Sequence, residues 1–189
     1  LTAKRVSGRW RSERSSGGLG AAMAPLMEQT QGLWLGWPGD ALPGEPEGRA
    51  RLMREWEVEH GYVAVEIPAK VSRSFYEGYA NDTLWPLLHG FPTRVVFAPE
   101  SWSAYREANQ RFAEAVLSRM RRGDLIWAHD YQLMLVPEMI RAQARDARIG
   151  FFLHIPFPSS EVFRILPERE ELLRGLLGAD SLAFQTHGH

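Results

Sequence analysis

Residues 124–161 read DLIWAHDYQLMLVPEMIRAQARDARIGFFLHIPFPSSE, and this stretch decides the fold. Two short, mostly apolar runs stand out, Asp124 to Ala128 and Arg148 to Leu153. Runs of that length and character are expected of strands buried on both faces of a parallel sheet. Between them Gln132 to Asp146 reads as a helix. Each run ends on polar residues, His129 and Asp130 after the first and His154 after the second. Pro156 and Pro158 stiffen the loop from Ile155 to Ser160. Ser160-Glu161 then opens a helix, Glu168 to Leu177 forms another, and Leu182 to Gln185 reads as a further strand. Strand and helix alternate throughout, which specifies an α/β domain built on a parallel, doubly wound sheet.

Upstream, Ser101 to Arg121 is an amphipathic helix, with Tyr105, Phe112, Val116 and Met120 at helical spacing and Ser101 or Ser103 available as a cap. Ala69 to His89 is also helical. A break is expected near Asn81-Asp82, with Thr83-Leu84-Trp85-Pro86 opening a second piece. Tyr62 to Ile67 alternates and is β-branched, so it reads as a strand. Pro38 to Glu47 is a Gly- and Pro-rich loop after a short strand at Leu33 to Trp37. A first strand lies near Lys4 to Ser7. It is followed by a loop with the pair Gly17-Gly18 and by a helix from Ala21.

Composition narrows the class. At 189 residues with 44% hydrophobic content the chain can bury one α/β core. The net charge of -1 gives no footing for nucleic acid or a membrane surface. No run of about 18 apolar residues suggests a spanning helix, and the polar, Arg-rich start is not a secretory leader. With no cysteine there are no disulfides or thiolate metal sites, in keeping with a cytoplasmic protein. Lys4, Arg5, Arg9, Arg11 and Arg14 face a single acid, Glu13. They form either a solvated basic end or an anion site. The chain starts at Leu1 and stops just after a strand that a parallel sheet would normally cover with a helix. A domain over residues 1–189 that is incomplete at both ends is therefore expected.

Ligands of open α/β sheets bind beyond the carboxyl ends of the strands. Asp130 and His154 fall on that rim in consecutive strands. A carboxylate there can accept hydrogen bonds from sugar hydroxyls, and an imidazole can bond a sugar or stabilise developing charge. The plainer alternatives are a helix cap and a satisfied buried histidine. Trp37, Tyr76 and Trp85 lie near loops or helix breaks, where aromatic faces and a phenol suit a sugar. Most of the 7 tryptophans must nevertheless be core. His89, His129 and Gln132 are further candidates. Gly17 and Gly18 stand just before a helix start, where a bare backbone can approach an anion, or they simply form a tight turn. There is no metal-ligand spacing, no nucleophile elbow and no P-loop.

These residues carry a resemblance. IWAHDYQLM from Ile126 to Met134 and IGFFLHIPFPSSEVFRILPEREELLRGLLGADSLAFQT from Ile149 to Thr186 resemble the trehalose-6-phosphate synthases, retaining glycosyltransferases of family 20. YANDTLWPLLH from Tyr79, SSGGL from Ser15 and GLWLGWPG from Gly32 match the same family. The resemblance covers almost the whole chain. It implies the N-terminal, Rossmann-like, acceptor-side half of a two-domain GT-B enzyme, the second domain lying outside this sequence. It implies transfer of glucose from UDP-glucose to glucose 6-phosphate with retention and without metal or cofactor.

By the same resemblance, Arg9 holds the acceptor phosphate, as an arginine fork can, and Gly18 approaches the donor phosphates. Tyr76 and Trp85 contact the acceptor around its phosphate and sugar, Asp130 bonds acceptor hydroxyls, and His154 contacts the donor glucose. Trp37 lies in a matching motif. Asp130 and His154 are thus the expected catalytic pair. UDP-glucose would also need the second domain, and homo-oligomer formation is left open. The family pattern Ser-Asn-Arg is Ser7-Gly8-Arg9 here, in an unusually short segment, and Gln132 replaces a common histidine. Two other readings stand beside this one: a related synthase with another acceptor, such as glycerol 3-phosphate, and a non-catalytic remnant that binds a partner.

Overall fold

The computed structural model describes residues 2–6, 9–13, 18–40 and 42–185, and the chain divides into two compact units, Leu1–Ile67 and Pro68–His189. In the first unit, β1 (Thr2–Val6) and β2 (Arg9–Glu13) form an antiparallel hairpin in the register Thr2↔Glu13 to Val6↔Arg9. The expected single strand near Lys4 is therefore half of a pair. Helix α1 (Gly18–Thr30) follows, then β3 (Trp34–Gly36). Helix α2 (Pro46–His60) leads to β4 (Tyr62–Ala64), which lies parallel to β3.

The sequence reading had no helix over Pro46–His60. Its ends follow ordinary rules. Pro46 opens it, and Gly61 closes it in the left-handed region at φ 61°, donating its N–H to the Glu57 and Trp56 carbonyls. Only Leu52 and Trp56 are buried, so the apolar stripe is too thin to read against a charged surface. Trp56 packs edge-on against Tyr62, with ring centroids 5.6 Å apart, in a core shared with Ala3 and Ala64.

The second unit starts with one continuous helical run: α3 (Ala69–Arg73), a π-helical segment Ser74–Leu84, and α4 (Trp85–Leu88). The break expected at Asn81-Asp82 does not occur. The chain widens its turns there instead of leaving the helix. A 3-10 turn (Pro92–Arg94) leads to α5 (Pro99–Leu117), which packs closely on the π segment. A Cβ on Gly78 would stand 2.5 Å from Ser101 Oγ and 3.1 Å from its Cβ, so a larger residue there would have to turn the serine and push α5 away. Phe75 and Tyr79 of the π segment pack against Tyr105 of α5, with ring centroids 6.0 and 4.8 Å away.

Strand β5 (Leu125–His129), helix α6 (Val136–Arg141), strand β6 (Arg148–Leu153), helices α7 (Ser160–Phe163) and α8 (Arg169–Leu177), and strand β7 (Ser181–Phe184) complete the unit. The three strands are parallel in the order β5-β6-β7, as the alternation requires. Burial corrects one expectation. Leu125 is 65% and Trp127 43% exposed, so β5 is not covered on both faces. It pairs within this sheet only with β6 and forms its edge.

At the amino end of the sheet, Asp180 accepts the Ile149 N–H and an Arg141 guanidinium hydrogen, both at 2.8 Å. Those bonds hold the Asp180 carboxyl below its usual range. Among the described residues no helix is long and apolar enough to cross a membrane.

Candidate active site at the carboxyl rim

The helix read over Gln132–Asp146 is shorter than expected, and the reason shapes the site. After β5 the chain makes a 3-10 turn at Tyr131–Leu133, and α6 begins only at Val136. Two fully buried side chains of α5 take over the backbone groups in between. The Tyr105 hydroxyl donates to the Tyr131 carbonyl at 2.7 Å and accepts the Met134 N–H at 3.1 Å. The Asn109 amide donates to the Gln132 carbonyl at 2.9 Å, and its oxygen accepts the Leu135 N–H at 3.1 Å. A regular helix is not needed where side chains satisfy the buried peptide groups. Burial raises the Tyr105 pKa, so its hydroxyl stays protonated and can both give and accept.

Asp130 sits at the head of this turn with φ 71° and ψ 169°. That region belongs almost entirely to glycine and costs about 1–3 kcal/mol for any other residue. Three bonds hold the strained backbone. Asp130 N–H donates to the Phe152 carbonyl at 2.8 Å. Its Oδ1 accepts the Tyr131 N–H at 3.0 Å and the His154 N–H at 3.2 Å. Burial raises the Asp130 pKa, and the two N–H bonds work against that rise. The expected helix cap is thus present in part, since the carboxylate does serve the turn. A carboxylate carrying two bonds still has lone pairs for a ligand.

His154 follows β6 on the same rim, and its Nε2 lies 3.1 Å from His129 Nδ1. Burial, and then the charge of His154, push the His129 pKa down to about 4. Tyr131, not singled out from sequence, donates its hydroxyl to Asn81 Oδ1 of the π segment at 2.8 Å. Burial, and then the charges of Tyr76 and Asp130, keep that phenol protonated. Trp85 stacks on His89 with centroids 4.1 Å apart, and His89 Nδ1 lies 2.7 Å from the Trp85 carbonyl. His89 is near enough to Asp130 to act on its charge.

The second unit therefore gathers Asp130, His154, His129 and His89 at one end of the sheet, with Tyr76 and Trp85 exposed at 39% and 40%. Gln132 contributes its carbonyl to the turn. Of the remaining predicted residues, all in the first unit, Gly18 is the exposed first residue of α1, and a Cβ there would meet nothing within 4 Å. Trp37 directly follows β3, half-buried, at the carboxyl end of the β3-β4 pair. Arg9 opens β2 opposite Val6, and its side chain lies outside the described residues. Sequence reasoning missed Tyr105 and Asn109. A signal existed: Asn109 interrupts the apolar face of α5, one turn from Tyr105, and a polar residue there must have a partner.

Comparison with known proteins gives a consistent result. The family model for glycosyltransferase family 20 matches residues 2–189. Alpha,alpha-trehalose-phosphate synthase (UDP-forming) 1 of Aspergillus niger is 44% identical over 196 residues, covering 100% of this chain and 37% of that protein. The alpha,alpha-trehalose-phosphate synthase (UDP-forming) of Burkholderia vietnamiensis superposes with a TM-score of 0.77 at 31% identity, covering 94% of this chain and 38% of that one. The Burkholderia xenovorans synthase, solved in complex with glucose-6-phosphate, gives a TM-score of 0.77 at 30% identity over 94% of this chain and 39% of its own. The chain thus spans little more than a third of the length of the relatives it matches, and its fold is that of the N-terminal part of a GT-B glycosyltransferase.

Proposed function

This chain belongs to glycosyltransferase family 20, and from that premise we propose that it forms the acceptor-side half of an enzyme that moves glucose from UDP-glucose to glucose 6-phosphate, giving trehalose 6-phosphate. The observation that carries this reading is Asp130. A carboxylate is held at the carboxyl rim in a conformation that costs stability, hydrogen-bonded to the backbone of His154. Backbone strain of this kind concentrates at active sites, where function sets the geometry. The names of the relatives, and the glucose-6-phosphate complex among the solved structures, support the choice of substrates.

In this reading Asp130 bonds acceptor hydroxyls, and Tyr76, Trp85 and Arg9 take the acceptor's sugar and phosphate. Gly18 approaches the donor phosphates and His154 contacts the donor glucose, while Trp37 is a further candidate substrate contact. The acceptor hydroxyl attacks the anomeric carbon from the face that UDP leaves. The new glycosidic bond forms as the bond to UDP breaks, and the departing phosphate takes the hydroxyl proton. The protein's share is then positioning and charge stabilisation. We place this chemistry in the cytoplasm, because charged sugar phosphates do not cross membranes unaided.

Calorimetric titration of the chain with glucose 6-phosphate tests the reading. Saturable binding is expected, weakened about 10- to 150-fold in Asp130→Ala, since bonds to a charged group contribute about 1.5–3 kcal/mol. Tighter binding of glycerol 3-phosphate would point to another acceptor. A folded chain that binds neither compound would count against an acceptor site here.

A further inference from the structure

We propose that His129 is a positioning residue for His154: its Nδ1 accepts the Nε2–H of His154, which fixes that ring and leaves Nδ1 of His154 for the ligand. The inference rests on the reading above, in which His154 faces the donor sugar. Its basis is the geometry of two neighbouring strand ends. The two nitrogens are 3.1 Å apart, and the rings are tilted by 30° with centroids 5.3 Å apart. Each imidazole is backed by an aromatic ring of its own strand, Trp127 behind His129 at 4.7 Å and Phe152 behind His154 at 4.6 Å. Neither ring can swing away without breaking packing.

One hydrogen fits between two imidazole nitrogens at this distance, so one ring donates and the other accepts. Burial, and then the neighbouring His154, disfavour charge on His129, so this ring stays neutral and can accept through Nδ1 with its own proton on Nε2. His129 is then the neutral acceptor. The bond made by one ring nitrogen sets the proton state of the other. Asp130 meanwhile holds the His154 backbone N–H at 3.2 Å. Two consecutive residues of one strand end thus grip His154, one by its ring and one by its main chain.

Imidazole ¹⁵N spectra of the 189-residue chain decide the matter. His154 is expected as the Nε2–H form. In His129→Phe an about fivefold tautomer bias, the worth of one ordinary hydrogen bond, should disappear. His129→Asn, whose amide reaches the Nδ1 position, should restore it, while His129→Gln, which reaches the Nε2 position, should not. Backbone amide spectra report whether each variant folds. If the Phe variant does not fold, the Asn and Gln variants decide by the same difference.

Identical His154 signals in the wild type and the substituted chains, or a proton found on His129 Nδ1, would overturn the proposal. Adding UDP-glucose tests the functional reading separately. A fixed His154 supports the pairing whether or not its signals respond to the sugar, and a response supports the donor contact. A ring that is not fixed but responds to the sugar refutes the pairing alone.

Discussion

Asp130 Oδ1 accepts the main-chain N–H of His154 at 3.2 Å, so the end of one strand fixes the start of the loop after the next. The same aspartate sits at φ 71°, where a Cβ is unwelcome. Asp130→Ala keeps the strain and loses the bonds. Asp130→Gly loses the bonds and the strain together. The glycine variant should therefore be more stable than the alanine variant by about 1–3 kcal/mol. Both should lose affinity for glucose 6-phosphate. Chemical denaturation of the two variants side by side measures the difference, and equal stabilities would remove strain from the account.

Tyr105→Phe deletes one hydroxyl that serves two backbone groups of the Asp130 turn. Both groups lie in a buried region, so the cost should be about 1–3 kcal/mol. For a chain of this size that is a fall of several degrees in Tm. Acceptor affinity should also drop, because the turn presents Asp130. A loss of stability with affinity unchanged would show that the turn holds its shape without Tyr105.

Gly175 of α8 lies against the same turn from the other side. A Cβ there would stand 2.5 Å from the Met134 carbonyl oxygen and 2.9 Å from Leu135 Cα. Backbone cannot yield as a flexible side chain can. Gly175→Ala should cost about 1–3 kcal/mol, although alanine is the better helix former. A thermal melt at or above the wild-type Tm would contradict the packing described.

His129 makes stability depend on pH. Its folded pKa, about 4, lies below its ordinary value of 6.5, so between these values the unfolded chain binds more protons. Stability from this group is complete above pH 6.5 and is lost as pH falls toward 4. Asp130 acts in the opposite sense. Its pKa is raised from 3.8, so its contribution falls as pH climbs through that lower window. Denaturation of the wild type and His129→Asn between pH 4 and 6.5 should show a shallower slope in the variant. Parallel slopes would mean that His129 is not the group responsible.

The rim was legible in the sequence because two apolar runs of strand length end in His129-Asp130 and His154, and parallel pairing sets those ends side by side. The unforeseen parts depend on long-range partners. Helix α2 buries only Leu52 and Trp56, and no local period announces so thin a face. The 3-10 turn after β5 exists because Tyr105 and Asn109, more than twenty positions earlier, take its peptide groups. The π segment leaves no mark in the apolar pattern, so a break was expected at Asn81-Asp82. The His129–His154 bond needs two strands in register before either ring has a partner.

The π segment has a consequence for where the next side chains point. Each residue of an α-helix advances the chain by about 100° around the axis. Ser74–Leu84 winds more loosely, so Trp85 and His89 take their azimuth from the extra chain in those turns. Removing one residue from the segment would let it tighten to the ordinary winding. Everything after it would turn by about a quarter of a circle or more, carrying the stacked Trp85–His89 pair away from the carboxylate that His89 now influences. In this segment length is therefore a constraint of its own, beside the close packing at Gly78: a single deletion would misdirect the indole.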